Sequence, residues 1–163
     1  MASTAQEAHL PALGHHQREE VGRELQATLV ELIDLSLIGK QLHWNIFGRP
    51  FKPLHEHLDE LVDSWRELSD TVAERAVALG FFPDGQAAAV SSGSEIPPVE
   101  RGPLGTEVVV RDLVQRLADV TERIRGRMDR LGELDLASQD VLIETIRELE
   151  KQQWMLRVQL EGH

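Results

Sequence analysis

The sequence predicts an all-α fold, four long helices packed as a bundle with one long crossover joining the second to the third. Three observations carry that expectation. Apolar residues recur every three or four positions through four separate stretches, the period of a helix that turns one face to a core. Gly48, Gly80 and the Pro50/Pro53 pair stand where those stretches end or begin. No stretch shows the strict alternation of a half-buried strand, and there is no internal repeat or low-complexity tract.

Residues 1–19 are small and polar with no apolar period, so a flexible tail is expected there, followed by one folded domain over 20–163. From Glu20, positions Val21, Leu25, Leu29, Leu32 and Ser36 share one face, and Gly48 supplies a helix stop, which places the first helix at about 20–47. After the Pro50/Pro53 turn, Leu54, Leu58, Leu61, Trp65, Leu68, Val72, Ala76 and Leu79 trace the second helix, about 53–79. The following stretch, GFFPDGQAAAVSSGSEIPPVERGPLG, is too long and too rich in Gly, Pro and Ser for a tight helical turn; it reads as a crossover with a short helix near Gln86–Val90. Val110, Leu113, Leu117, Val120, Ile124, Met128 and Leu131 give a third helix at about 106–132. Leu142, Ile146, Leu149 and Leu156 give a fourth at about 136–160. Two helices, a long crossover and two more helices constitute the ferritin-like form of the four-helix bundle.

Composition narrows the function. A 163-residue chain with 41% hydrophobic residues suffices for one core. No window approaches the ~20 apolar residues of a membrane span, and the N-terminus has neither a basic nor an apolar leader segment, so a cytoplasmic protein is expected. Without cysteine there is no disulfide framework or thiolate site, and any metal must be held by His, Asp and Glu. A net charge of −11 repels nucleic acid and attracts cations.

No His has a Glu three residues before it, so the Glu-x-x-His pairs of an ordinary intra-bundle di-iron centre are missing. The chain carries instead His43 near the end of the first helix, His55 and Asp59 one turn apart, and Asp70 and Glu74 one turn apart. These are imidazole and carboxylate ligands of the kind iron accepts. Asp59 and Asp70 lie on one stripe of the second helix but about 16 Å apart along its axis, too far for one iron to bridge. A two-fold axis across the middle of that helix resolves the distance: an antiparallel mate sets residue x opposite residue 129 − x, which pairs Asp59 with Asp70 and His55 with Glu74. The turn near Arg49 brings His43 to the height of His55. Each site would then take His43, His55 and Asp59 from one chain and Asp70 and Glu74 from its mate. Such residues one turn apart are also what a solvated helix face carries, and spacing alone leaves a charged stripe as the other reading.

The segments KQLHWNIFGRPFKPLHEHLDEL and SDTVAERAVALG resemble the two signature stretches of the Dps family, the DNA-binding proteins from starved cells, and LDLASQDVLIETIRELEKQQW resembles that family's last helix. The resemblance spans about residues 20–160. It implies that His43, His55, Asp59, Asp70 and Glu74 are ferroxidase ligands and that iron, as Fe(II) and Fe(III), is the metal handled. It further implies a hollow homododecamer with a site at each two-fold interface, hydrogen peroxide as the preferred oxidant, and iron storage with protection against oxidative stress. In DNA terms the chain departs from the family: residues 1–17 contain no Lys or Arg, so DNA binding is expected to be weak or absent. The runner-up reading is a nucleoid-associated protein that binds and protects DNA with little ferroxidase activity.

Smaller expectations complete the reading. Trp44 fits a core aromatic at a helix end, with an electron donor beside His43 as its second reading; Trp65 fits packing. His57 points away from His55 as a surface residue, and His9, His15 and His16 lie in the tail. Asp129, Glu133, Asp135 and Asp140 surround the turn between the third and fourth helices, where they either ring a pore or complement the dipole of the following helix.

Overall fold

The structure, a computed structural model, describes residues 10, 11 and 13–161. Its helices are α1 (His15–Asn45), α2 (Phe51–Ala78), α3 (Ala87–Gly93), α4 (Thr106–Gly132) and α5 (Leu136–Val158). The connection 46–50 turns α2 back along α1, the connection 133–135 turns α5 back along α4, and the two hairpins pack into an all-α, ferritin-like bundle. The core between them is built from Leu25, Leu32, Leu58, Leu117, Leu142 and Leu149, each withdrawn from water, with Trp65 the largest buried side chain. Burial of each such side chain contributes about 1.5–3 kcal/mol, so the predicted apolar stripes account for the packing of all four long helices. Trp65 belongs to the core as expected, and its indole Nε1 donates to Gln152 Oε1 at 2.8 Å, which satisfies the one polar group it carries.

At the crossing of α1 and α2, Gly39 is required: a Cβ there would lie 2.6 Å from Val62 Cγ2 and 2.7 Å from Trp65 Cζ3. Gly48 ends the first hairpin arm with φ +101°, a conformation an L side chain rarely adopts.

Several boundaries differ from expectation. The first helix starts at His15 rather than about residue 20, because Arg18 donates from Nη1 to Leu13 O at 2.6 Å and Leu13 packs on the core, so tertiary contacts extend the helix into polar sequence. Of the expected tail, residues 1–9, including His9, and residue 12 lie outside the described residues. The crossover holds the expected short helix, displaced to Ala87–Gly93 and packed against α1. A two-stranded parallel pair, β1 (Ile46–Phe47) with β2 (Leu104–Gly105), was not expected; two residues are too few to display an alternation. Together with the Thr106 hydroxyl, which donates to Arg49 O at 2.8 Å, the pair ties the end of the crossover to the α1–α2 turn.

Candidate metal centre

The α1–α2 turn sets His43 and His55 face to face, ring centroids 3.6 Å apart and planes inclined by 23°. Each imidazole bonds to the other residue's backbone: His43 Nδ1 lies 2.9 Å from His55 O, and His55 Nδ1 lies 3.1 Å from His43 O. A carbonyl oxygen can only accept, so both Nδ1 atoms carry the hydrogen, and in each neutral ring the lone pair is left on Nε2. That is the tautomer a metal-binding imidazole needs, with the second nitrogen donating to a fixed acceptor. Phe51, one turn before His55, stacks on that imidazole as well, at 5.0 Å between centroids.

Asp59 completes this cluster. Its Oδ1 lies 3.3 Å from His43 Nδ1 and accepts an ion pair from the Lys40 ammonium. The Lys40 hydrogen bond holds the Asp59 carboxyl below the usual carboxylate range against the opposing effect of burial, aided by the two histidines and by the Lys40 charge. Sequence reasoning missed Lys40 and Phe51. The signal was available in their spacing, since Lys40 stands one turn before His43 and Phe51 one turn before His55.

Asp70 and Glu74 stand farther along α2, both exposed, and a single chain does not bring them to His43, His55 and Asp59. Among the described residues no group of three or more His, Asp and Glu side chains is placed to hold a metal ion, His43, His55 and Asp59 included. The bundle interior offers no alternative: its fully buried carboxylate, Glu31, is taken by two arginines, Arg123 Nε to Oε1 at 2.5 Å and Arg127 Nη1 to Oε2 at 2.6 Å.

Trp44 is 70% exposed beside His43, so its assignment to the core is corrected: Ile46 fills the apolar position at the end of this arm and leaves Trp44 on the surface. His57 is half-buried against Pro50, Pro53 and Met155, on another side of α2 from His55. His15 and His16 are exposed at the start of α1, and His16 Nδ1 is 3.5 Å from Glu20 Oε2. Asp135 is withdrawn from the acidic set at the α4–α5 turn: it caps α5 by accepting from Ser138 N at 3.1 Å and pairs with Arg75 Nη2 at 2.7 Å. Asp129, Glu133 and Asp140 remain exposed there. Among the described residues, no helix is long and apolar enough to cross a membrane.

Residues 23–162 match the model of the ferritin-like domain family. The chain is 37% identical over 155 residues to the DNA protection during starvation protein of Mycolicibacterium smegmatis, covering 94% of this chain and 84% of that one. Its fold superposes on the tetragonal form of Mycobacterium smegmatis Dps with a TM-score of 0.88 and 34% identity, over 92% of this chain and 90% of the other. DpsA14 from Streptomyces coelicolor gives a TM-score of 0.88 and 31% identity, over 92% and 89%. An all-α bundle with these helix lengths and this crossover, matched in sequence and structure along nearly its whole length, belongs to the ferritin-like Dps family.

Proposed function

We propose that this chain is a ferroxidase subunit of an iron-storing, iron-detoxifying cage, a homododecamer in the cytoplasm that oxidises Fe(II) at sites shared between two chains. The observation that supports the reading best is the reciprocal bonding of His43 and His55, which leaves the lone pair of each neutral ring on Nε2, with Asp59 Oδ1 3.3 Å from the His43 ring at one end of the exposed α2 stripe. Asp70 and Glu74 of the mate would close each site through the relation of x to 129 − x.

Fe(II) is the substrate. Imidazole nitrogens and carboxylates bind it, and anionic carboxylates favour Fe(III) over Fe(II) as charge builds. One hydrogen peroxide accepts one electron from each of two Fe(II) ions; its O–O bond breaks, two protons are taken up, and two waters leave. No hydroxyl radical is released, because the oxidant never stops after one electron. The ferric product would be stored against carboxylate-bearing surface such as the groove of about 860 Å³ between α2 and α5, which Glu67, Asp140, Glu144 and Glu148 line together with Arg147 and Lys151. Binding of DNA is weak or absent in this reading. The net charge is −11, and all six arginines of α4 lie against carboxylates, so that helix offers no free cationic stripe for phosphates.

Stopped-flow absorbance after mixing Fe(II) and peroxide with the protein tests the reading, alongside light scattering of the 18.3 kDa chain. Fast oxidation by a particle of roughly 12 subunits is expected. Oxidation no faster than in buffer overturns the ferroxidase, and retardation of plasmid DNA that persists at ~150 mM salt favours the nucleoid protein instead.

A further inference from the structure

At the centre of the exposed α2 stripe stand two residues with no part in metal binding, Asp63 and Arg66. Their side chains are 74% and 57% exposed, and within the chain Arg66 Nη1 lies 3.9 Å from Asp63 Oδ1, the outer edge of an ion pair. Neither charge is consumed by its own chain. The reversal that sets residue x against 129 − x brings Asp63 opposite Arg66 of a second copy, and Arg66 opposite Asp63 of that copy. Farther out it matches Asp59 with Asp70 and His55 with Glu74, and at the ends it lays the half-exposed Phe51 against Ala78, beside the exposed Val77. Along the stripe opposite charges meet at the axis and apolar meets apolar at the ends, while between them ligand faces ligand, the like-charged Asp59 and Asp70 meeting across the metal that both would bind.

Other registers lose this match. Sliding the mate so that x faces 133 − x sets Asp63 against Asp70 and Asp59 against Glu74, two like-charge pairs. Sliding it so that x faces 125 − x consumes Arg66 on Asp59 and leaves Glu74 against Phe51 and Asp63 against Val62. Charge complementarity of this kind fixes register and partner choice more than it adds affinity. We propose that Asp63 and Arg66 form a reciprocal ion pair with a second copy of this chain, on the two-fold axis, and that this pair sets the register of α2 against its mate and hence the spacing of the two metal half-sites. The proposal rests on the shared-site reading above.

Charge exchange tests it without touching a metal ligand. In an Asp63→Arg chain the axis of a homodimer gathers four cations, and in an Arg66→Asp chain four anions. Each variant alone should show a lower mass than wild type by light scattering and lose Co(II) binding at the shared site, with circular dichroism still reporting wild-type helix content. Salt at ~1 M should restore part of the mass, because it shortens the screening length to about 3 Å. Mixing the two variants places every Arg opposite an Asp, and the mixture should recover wild-type mass and Co(II) binding; the Asp63→Arg/Arg66→Asp double variant should do so on its own. Single variants that assemble and bind Co(II) like wild type overturn the ion pair. So does recovery by the double variant but not by the mixture, since that result assigns the contact to one helix. A wild-type chain that assembles but binds no Co(II) defeats the shared-site reading instead, and a monomeric wild type defeats both.

Discussion

Lys40 supplies the one cation at a cluster otherwise suited to bind cations. Its ammonium sits on the Asp59 carboxylate, and a metal that uses Asp59 must compete with it. The lowered pKa of Asp59 has the matching sign, because the hydrogen bond from Lys40 stabilises the ionised form. Replacing Lys40 by Met removes the competitor and lets that pKa move back towards the ordinary carboxylate value of 3.8, still far below neutrality. Asp59 therefore stays ionised at pH 7 in both proteins, and the variant should bind Co(II) severalfold more tightly in a calorimetric titration. Equal or weaker binding would mean that Lys40 positions Asp59 rather than competing for it. Individual residues of the cluster were legible to different degrees. His43, His55 and Asp59 were legible because a turn and an i,i+4 spacing suffice to bring them together. The reciprocal imidazole bonds were not, since they depend on how closely the α1 and α2 backbones approach, and the close crossing of Gly39, one turn before His43, with Val62 and Trp65 is a tertiary contact. Trp44 was misplaced because a large aromatic beside a ligand looks like core until the neighbouring Ile46 is seen to fill that position.

Helix ends carry their own chemistry, and the start of α5 is the clearest case. Asp135 accepts from Ser138 N and from Arg75, so one carboxylate both caps α5 and ties it to α2. Burial raises the Asp135 pKa, but the hydrogen bonds from Ser138 and Arg75 and the Arg75 charge outweigh it, and the pKa ends below the ordinary carboxylate value of 3.8. A depressed carboxylate pKa contributes stability that is present above the unfolded value and lost as pH falls through the folded one. Asp135→Ala should therefore lower the unfolding free energy by about 1–2 kcal/mol at pH 7, from the lost cap and the orphaned Arg75. Asp135→Asn keeps a capping oxygen but not the charge, so its deficit should be flat above about pH 5 and shrink below about pH 4. Urea titrations across that range check both variants, and a deficit that grows on acidification would contradict the assignment. The four long helices were legible because each buries an apolar stripe of about four turns or more, and α4 runs over the expected 106–132. Where the prediction slipped, at the start of α1 and in β1 and β2, the determinants are tertiary: Leu13 on the core, and a backbone pairing between segments 58 residues apart.

Whole-molecule behaviour turns on whether two chains share each site, and the symmetry of the assembly gives a direct test. The half-sites are distinguishable by mutation, since His43 and His55 would come from one chain and Asp70 and Glu74 from its mate. Two defective subunits can then complement each other. A His43→Ala/His55→Ala chain and an Asp70→Ala/Glu74→Ala chain should each assemble and lose fast ferroxidation. His43 is buried at the end of α1 and His55 half-buried at the start of α2, Asp70 and Glu74 are exposed on α2, and none of the four belongs to the apolar core that holds the four helices together. In a mixed dimer one interface site collects every substitution and the other collects none. Random co-assembly makes about half the dimers mixed, each with one intact site of two, so about a quarter of the wild-type fast phase should return. A site built within one chain predicts no return, because every site then carries one set of substitutions whatever the pairing. The readout is the amplitude of fast Fe(II) oxidation by peroxide, with co-expressed, differently tagged chains purified through both tags. Cages enriched for both chains can still be built from unmixed dimers, so intact-dimer mass spectrometry must show the two chains paired. With paired chains present, an amplitude no higher than that of the separate variants rules out the shared site.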